Sequence, residues 1–470
     1  MRHRLLVAVF VLGSVAAGCS ADSTGRDEAS RPTIAETAPP PQEDDPFGRA
    51  PATPDGPLDK RLVADLDTVF SNIQSKFDRA AVHRIGASGD ARVAWLLSDL
   101  LRFVRFEGPA EDLADAFEEL TGTKLDDEER ELGGAWKGVT DHLIAWDLPA
   151  PPGYLRYKSR LFTLVEPRWA PFFQDANADI DWRHVSWGGV FIDDRPLGNS
   201  ALCPRGCIPA LDDPAVTDAA GGSWYPDDRI VFGVVVDGEA RAYPKNIMEV
   251  HEMVNDTLGG RRIGMPYCTL CSSAQAYFTD TVGEEPLVLR TSGLLSRSNK
   301  VMYELNSKSV FDTFRGRALS GPLQDADVVL EQLTVVTSSW GEWKAAHPDT
   351  TVVAEDGGIG RVYPDDPLGG RDDNGPIFPI GEVDRRLPAQ EQVVGVIAPD
   401  GTPLAFPAEA ARTALRSGES VELEGVRLEL DGDGLRAALA DGSDIVSHQA
   451  FWFAWSQFHV GTVLWTDGVP

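Results

Sequence analysis

Apolar residues recur at helical spacing through residues 58–147. The first run places apolar side chains three or four positions apart, at Leu62, Leu66, Val69, Phe70, Ile73 and Phe77. Later runs within 93–101, 113–120 and 136–144 repeat this spacing, with Asp90 before the first of them and Gly122 after the second. Residues at that spacing lie on one face of an α-helix, and Asp and Gly are typical of helix ends. Residues 58–147 are therefore predicted to form a helical domain, in which no polar cluster of catalytic type stands out.

The pattern changes after residue 153, where glycine, proline, aspartate and β-branched residues become frequent. Residues 230–236 and 240–243 read as two strands joined by Asp237-Gly238, and Asp-Gly between apolar runs is a strong hairpin signal. Residues 394–407 repeat the skeleton of 232–244, which is Gly-Val, Asp-Gly and then Ala-aromatic-Pro. We therefore predict an α+β fold: a helical N-terminal domain, a connecting segment over 148–199, and a mainly β domain over 200–470 with a duplicated hairpin unit.

The first 19 residues have the order of an export signal. Arg2, His3 and Arg4 precede an apolar run over 5–15, and small residues then lead to Cys19. This charged, apolar, small-residue order is typical of a signal peptide, and the apolar run is shorter than the roughly 20 residues that a spanning helix needs. We expect a lipoprotein signal with a lipobox over 1–19, a lipid on Cys19, and a protein held at the extracytoplasmic face of the cell membrane by that anchor. An ordinary secretory signal is the alternative.

Residues 20–57 are rich in proline and in acidic and small residues. Such a segment cannot bury enough apolar surface to offset the entropy lost on ordering. It is predicted to be a disordered tether between the lipid and the folded body.

Charge and length narrow the functional classes. The formal net charge of −30 argues against nucleic acid as a partner and disfavours docking on anionic lipid through charge. The roughly 410 residues after the tether suffice for two or three domains. The sequence has no Gly-x-Ser-x-Gly elbow, no Walker loop and no His-Glu-x-x-His motif.

The five cysteines carry the most specific chemical signal. Besides Cys19 they form two close pairs, Cys203 with Cys207 and Cys268 with Cys271. Four thiolates can hold a tetrahedral zinc, and soft sulfur with His251 and Met302 nearby in sequence can hold copper. An oxidising exterior also permits disulfides, and a two-residue gap is found in redox-active dithiols as well as in metal knuckles. The spacing leaves these alternatives open.

His251 is a candidate metal ligand or general base beside the second pair. The alternative is a histidine that is hydrogen-bonded within the fold. His184, His448 and His459 are flanked by aromatic residues and are interpreted first as packing residues.

A series of motifs resembles the family called domain of unknown function 3179 over about residues 200–465. The series is Ala240-Arg241-Ala242-Tyr243-Pro244, His251-Glu252, Tyr267-Cys268 with Leu270-Cys271, Ser292-Gly293-Leu294-Leu295, Val301-Met302-Tyr303, Gly321-Pro322-Leu323, Trp340, Glu342-Trp343, His347-Pro348-Asp349-Thr350 and Phe451-Trp452-Phe453-Ala454-Trp455. The family pattern usually reads Cys-Pro-Leu-Cys-Gly, where this chain has Thr269 and Ser272, and usually has Trp where this chain has Phe311. Cys203 and Cys207 look like additions to it. The resemblance leaves two alternatives: the added pair forms a local disulfide and Cys268 and Cys271 are the family's own site, or the added pair completes a four-sulfur site. It implies little about chemistry.

The sequence therefore predicts a metal-binding or thiol site at Cys268, Cys271 and His251, with Cys203 and Cys207 as further candidate ligands and zinc or copper as candidate metals. We expect Cys268 and Cys271 at the end of a strand that begins near Ile263, with His251 within reach and the other pair close by. One alternative is a thiol-dependent enzyme in which a cysteine is the nucleophile and His251 its base. Another is a surface interaction protein whose cysteines form structural disulfides.

Overall fold

A computed structural model describes residues 46–73, 77–104, 106–131, 135–371 and 375–466. The expected signal segment, Cys19 and the tether up to residue 45 lie outside the described residues. Among the helices of the described part, none is long and apolar enough to cross a membrane.

Eight helices form the N-terminal part of the described chain. Asp59 and Asp78 cap the first two by accepting hydrogen bonds from Arg61 N and Ala81 N, which satisfies main-chain donors that have no partner within a helix. Gly122, at φ +74°, ends the fourth. The helices continue through part of the segment expected to be a connection. They are α1 (Lys60–Asn72), α2 (Arg79–Gly86), α3 (Ala94–Phe103), α4 (Glu107–Thr121), α5 (Asp127–Glu131), α6 (Trp136–Ala145), α7 (Tyr154–Val165) and α8 (Ala170–Gln174).

Residues 46–57, the described part of the expected tether, lie against these helices. The carbonyl oxygens of Phe47 and Gly48 accept hydrogen bonds from Trp146 Nε1 at 3.0 and 3.1 Å. Arg92 donates to Gly56 O at 2.9 Å. The chain is thus held to the helical domain before α1 begins.

The remainder combines short helices with five small sheets, so the fold has the mixed helix and strand content that the sequence predicted. The short helices are α9 (Lys245–His251), α10 (Gly321–Asp325), α11 (Trp340–Ala346), α12 (Ala408–Arg416) and α13 (Trp452–Phe458). The strands are β1 (Val185–Trp187), β2 (Leu211–Asp212), β3 (Val216–Asp218), β4 (Ile230–Val236), β5 (Glu239–Pro244), β6 (Met253–Leu258), β7 (Arg261–Cys268), β8 (Ser273–Ala274), β9 (Ala276–Phe278), β10 (Leu289–Ser296), β11 (Asn299–Glu304), β12 (Val310–Asp312), β13 (Gln332–Leu333), β14 (Val336–Ser339), β15 (Thr351–Val353), β16 (Gln392–Ile397), β17 (Pro403–Pro407), β18 (Glu422–Leu423), β19 (Val426–Asp431), β20 (Gly434–Leu439), β21 (Asp444–Ile445), β22 (Ser447–Phe451) and β23 (Val463–Leu464).

Four of the five sheets join strands from separate parts of the described chain, and the fifth consists of four consecutive strands. The orders are β1-β10-β11-β12, β13-β9-β7-β6-β2 with β8 beside β7, β14-β4-β5-β15-β3, β22-β16-β17-β23 and β18-β19-β20-β21. The first sheet shares its core with the helices, since Leu294, Val301 and Tyr303 pack in the helical cluster. Trp169 Nε1 also donates to Ser292 O at 2.8 Å across this contact. The helical part and the first sheet are therefore one packed body.

The two Asp-Gly segments both form antiparallel hairpins, β4–β5 and β16–β17, and each is followed by a helix. A third strand, β14 or β22, pairs antiparallel with the first strand of each hairpin, and a fourth, β15 or β23, pairs parallel with the second. The strand orders are therefore β14-β4-β5-β15 and β22-β16-β17-β23. The helix after each third strand begins the motif Trp-x-x-Trp-x-x-x-His-x-x-Thr. Trp343 Nε1 donates to Thr350 Oγ1 at 3.0 Å, and Trp455 Nε1 donates to Thr462 Oγ1 at 3.1 Å.

Candidate dithiol site

Cys268 and Cys271 meet at the end of β7. Cys268 is its last residue, residues 269–271 make one 3₁₀ turn, and Ser272 takes a left-handed conformation at φ +46° before β8. This tight turn puts both sulfurs on one side, with the two Sγ atoms 3.0 Å apart. The side chains are 2% and 0% exposed and are not joined in a disulfide. The chain therefore holds two adjacent thiols away from water.

The turn between β10 and β11 covers the two sulfurs. Ser298 O lies 3.5 Å from Cys271 Sγ and 3.8 Å from Cys268 Sγ. Asn299 Oδ1 lies 3.4 Å from Cys271 Sγ, and Lys300 N–H donates to Cys268 Sγ at 3.4 Å. Cys271 thus faces acceptor oxygens, whereas Cys268 receives a main-chain donor. The two sulfurs are chemically distinct for that reason.

This covering turn has an unusual backbone. Arg297 and Ser298 both have positive φ, at +48° and +67°, although neither is glycine. Such conformations are uncommon for residues with a Cβ, and they persist where the surrounding structure imposes them. The Ser298 hydroxyl and Arg297 Nε are buried without a hydrogen-bond partner in the part of the chain that the structure describes. The turn over the thiols is therefore held by its backbone and by packing.

A buried ion pair fixes both sides of the site. Lys300 Nζ lies 3.0 Å from Glu252 Oε2 and also donates to the carbonyl oxygens of Glu252 and Tyr267. Thr269 Oγ1 donates to Glu252 Oε1 at 3.2 Å. Burial lowers the pKa of Lys300, and the neighbouring Glu252 carboxylate acts in the opposite direction. The pair ties β11 to the end of β7 and to the turn that carries the cysteines.

His251 lies at the end of α9, and its hydrogen bonds lead elsewhere. Its Nδ1 is 2.6 Å from Pro209 O, which only accepts, so Nδ1 carries the proton. Its Nε2, 2.7 Å from the Tyr363 hydroxyl, then accepts from that group. Burial lowers the pKa of His251 to about 4, which keeps the ring neutral. Both ring nitrogens are thus engaged in hydrogen bonds. This arrangement matches a histidine hydrogen-bonded within the fold, which was the alternative to a metal ligand or general base.

Potential metal ligands come together at a different place. In the described residues, the group of three or more His, Cys, Asp or Glu ligand atoms within 4.8 Å of one another is Asp193, Cys203 and Cys207. His251 is not gathered with Cys268 and Cys271 in this way, and neither are the two cysteine pairs with each other. The structure therefore contains no assembled four-sulfur or Cys–Cys–His cluster among its described residues.

Cys203 and Cys207 form a disulfide. Their Cα atoms are 5.4 Å apart, within the usual range for disulfides. The nearby Asp193 carboxylate accepts from Arg195 Nε at 2.7 Å and from Ala210 N at 2.8 Å. A metal could bind here only if the disulfide were reduced. It would also have to share the Asp193 carboxylate with Arg195, which that carboxylate already neutralises. In the oxidised form the pair is a local staple.

Met302, the weaker sequence candidate, is fully buried in a separate apolar cluster. It packs with Met253, Tyr277 and Phe311, whereas the cysteines pack with Phe314 and the aromatic residues of α13. Met302 therefore serves as a packing residue.

Two histidines that the sequence assigned to packing lie in the surroundings of the dithiol. The ring centroid of His448 lies 5.8 Å from that of Phe314 and 5.5 Å from that of Trp455, and the His459 ring lies tilted against Trp455 with the centroids 4.1 Å apart. Phe314 and Trp455 belong to the cluster that contains both cysteines. Burial lowers the pKa of His448 to about 4 and that of His459 to about 3. The repeated Trp-x-x-Trp-x-x-x-His-x-x-Thr spacing is the sequence signal that could have drawn attention to His459.

A small cleft lies between residues 179–185 and the strands β10–β12. Trp182, Val185, Phe311 and Phe458 line it, together with Asn299, Lys300 and three aspartates. Asn299 also contacts Cys271 and Lys300 also contacts Cys268, so these two residues join the cleft to the dithiol.

Comparison with known proteins adds a family and no chemistry. The family described as "Protein of unknown function (DUF3179)" matches residues 205–441, a span that contains the dithiol, its covering turn, Lys300 and Glu252. No curated protein and no solved structure matches the chain. The match covers half of the chain and agrees with the order of motifs, so the chain belongs to the DUF3179 family.

Proposed function

We propose that this chain is an exported, lipid-anchored protein whose Cys268–Cys271 pair is a redox-active dithiol. One observation carries the dithiol proposal: the two Sγ atoms lie 3.0 Å apart, buried together on one turn. At that distance a small rotation of one side chain brings the sulfurs within bonding distance, because the backbone already presents both to each other, and a partner disulfide takes up the two electrons and two protons released when the bond forms.

The reaction is thiol–disulfide exchange. The thiolate of one cysteine attacks a sulfur of a partner disulfide, a mixed disulfide forms and one partner thiolate leaves. The second cysteine then displaces the other partner thiolate. The pair loses two electrons and two protons, and the partner disulfide gains them as two thiols. The reverse sequence returns the dithiol.

The alternative of metal binding at the same pair is less well supported. Two thiolates about 2.3 Å from one tetrahedral zinc lie roughly 3.8 Å apart, wider than the 3.0 Å observed. His251, the expected third ligand, already uses both ring nitrogens. The acceptor oxygens of Ser298 and Asn299 beside Cys271 suit a protonated thiol.

Equilibration of the purified protein in glutathione buffers of graded potential tests the proposal. After an acid quench, denaturation and alkylation, peptide mass spectrometry reports the state of each cysteine pair separately. We expect Cys268 and Cys271 to switch together between dithiol and disulfide at a defined potential, while Cys203–Cys207 stays oxidised over that range and serves as the internal control.

Two results would overturn the dithiol function. One is that Cys268 and Cys271 remain alkylatable at every potential. The other is that protein purified from the exported compartment holds one equivalent of zinc or copper that is lost in the Cys268→Ser variant.

The lipid anchor rests on the signal pattern and on Cys19. Attachment there places the folded body at the membrane surface, in a compartment where disulfide exchange is a normal reaction. The membrane is then the partner of the anchor, and no nucleic acid partner is proposed because of the strong negative charge.

We also propose that the two hairpin units descend from one duplicated unit. The shared strand order and the two matched Trp–Thr hydrogen bonds support this origin. Superposition of residues 230–251 on 392–416 tests it, and different paths of α9 and α12 relative to their hairpins would contradict it.

A further inference from the structure

The cleft beside the dithiol has the features of a route to the sulfurs. Asn299 is 2% exposed, and its Oδ1 contacts Cys271 Sγ. Asn299 also lines the cleft. Its side-chain amide therefore lies between the cleft and a sulfur.

The walls of the cleft are mostly apolar. Trp182, Val185, Phe311 and Phe458 form them, and sites for small ligands are typically lined by apolar and aromatic side chains with a few polar groups. Asp179, Asp181 and Asp312 also line the cleft, and they are ion-paired with Arg317, Arg183 and Arg315 respectively. Lys300, the basic residue in the lining, already pairs with Glu252, so an anionic ligand would gain no unpaired cation from the lining.

Access to the sulfurs requires the covering turn to move. Arg297 and Ser298, in left-handed conformations, have buried polar atoms without partners in the described part of the chain. Displacing the turn therefore breaks few side-chain hydrogen bonds. The cleft lies against the same strand pair, so a ligand seated there is next to the turn that must open.

We propose that this cleft binds the disulfide substrate and selects disulfides that carry an uncharged, apolar group, with an acceptor atom on Asn299 Nδ2. The inference rests on the proposed dithiol function and adds its substrate class. The exchange is the one described above: the disulfide bond of the substrate breaks, the Cys268–Cys271 bond forms, and two substrate thiols leave with the protons. A small molecule and a cysteine-containing peptide both offer this chemistry.

Rates of oxidation of the reduced protein by three probes test the selection. 4,4′-Dithiodipyridine is neutral and aromatic, 5,5′-dithiobis(2-nitrobenzoate) is anionic and aromatic, and bis(2-hydroxyethyl) disulfide is neutral and polar. Each rate is divided by that of the same probe with N-acetylcysteine. We expect the normalised rate to be at least tenfold higher for the neutral aromatic probe than for the other two. A disulfide peptide with and without a neighbouring Phe forms the peptide arm.

A charge introduced in the cleft provides a signed readout. Ile180 lines the cleft and is partly exposed. Ile180→Lys should raise the rate with the anionic probe severalfold, and Ile180→Glu should lower it. Val329 lies outside the cleft lining and is 59% exposed, so Val329→Lys is the matched control and should leave the ratio of rates unchanged.

The outcomes separate the two proposals. If all normalised rates are equal, or if Val329→Lys acts as Ile180→Lys does, the cleft does not select the substrate although the dithiol function stands. If no probe oxidises Cys268–Cys271, the dithiol function fails and this inference with it.

Discussion

At the scale of single residues, the site depends on how a few buried polar groups satisfy one another. Lys300 and Glu252 place opposite charges beside the thiols, while His251 is neutral and committed to Pro209 and Tyr363. Removing one member of a buried ion pair leaves the other without compensation, which costs more than removing both. The pair is therefore a structural support of the site that can be tested separately from its chemistry.

Lys300→Met should lower the free energy of unfolding by about 3–5 kcal/mol, because the Glu252 carboxylate loses its buried counter-charge. The double variant Lys300→Met/Glu252→Gln should recover part of that loss, since Gln keeps an acceptor for Thr269. Chemical denaturation of the two single variants and the double variant measures the coupling. Additive losses would show that the pair does not act as a unit.

The buried histidines predict a loss of stability in mild acid. Burial lowers the pKa of His184, His251 and His448 to about 4 and that of His459 to about 3, against 6.5 in the unfolded chain. As the pH falls below 6.5 the unfolded chain binds protons that the folded chain does not, so the free energy of unfolding decreases down to about pH 4. The slope is at most roughly 1.4 kcal/mol per pH unit for each ring.

His459→Phe isolates one of these contributions. The Nε2 of His459 is buried without a partner in the described structure, and a phenyl ring can keep the tilted ring contact with Trp455. Between about pH 6.5 and 4 the free energy of unfolding should fall less steeply with pH, by the contribution of about one proton taken up on unfolding. The stability at pH 7.5 should change little. His347 occupies the equivalent position in the other hairpin unit, so His347→Phe is the control. It should lower the free energy of unfolding by about 1–3 kcal/mol, because Asp431 loses its hydrogen bond to His347 Nε2 at 2.7 Å. Equal slopes in His459→Phe and the parent protein would contradict the prediction.

At the scale of elements, the two hairpin units use glycine in the same way. An added Cβ at Gly233 would overlap the ring of Trp343, and one at Gly395 would overlap the ring of Trp455. The tryptophans of α11 and α13 therefore lie directly on the hairpin backbones. These contacts join each hairpin to the helix that follows its third strand.

Gly233→Ala and Gly395→Ala should each destabilise the protein by about 1–3 kcal/mol, because the tryptophan ring has to move out of a packed interior. Gly108→Ala, in α4 with only ordinary contacts around the added methyl group, should be neutral or slightly stabilising. Thermal unfolding of the three variants measures the difference. If Gly395→Ala is restored by Trp455→Leu, the ring is identified as the source of the cost.

At the scale of the whole molecule, the helical part and the first sheet share one core, the chain is strongly negative, and the proposed attachment lies in the segment before the helices. The described residues 46–57 already contact the helical part, so the chain that remains to act as a spacer is residues 20–45.

Cys19→Ser should move the protein from the membrane fraction to the soluble exported fraction, because the residue that would carry the lipid is lost. Cell fractionation with an antibody to the folded part measures this, and mass spectrometry of the parent protein should find an acyl group on Cys19. A membrane-bound Cys19→Ser variant together with an unacylated parent would remove the anchor from the proposal.

The sequence by itself determined the features that depend on neighbours along the chain. Helical spacing located α1, α3, α4 and α6, and Asp-Gly between apolar runs located two hairpins. The two-residue gap between Cys268 and Cys271 was enough to place both sulfurs on one turn. The ordered motifs also identified the family, since such a series is a property of the sequence alone.

Only the tertiary structure decided what surrounds the thiols. Ser298 and Asn299 approach them from a turn some thirty residues later, and His251 is drawn to Tyr363, which is 112 residues away. The cleft requires residues 179–185 to pack against β10–β12, and His459 requires the last helix to join the cysteine cluster. These contacts depend on how separate sheets and helices bury their faces against one another, and local spacing does not encode that arrangement.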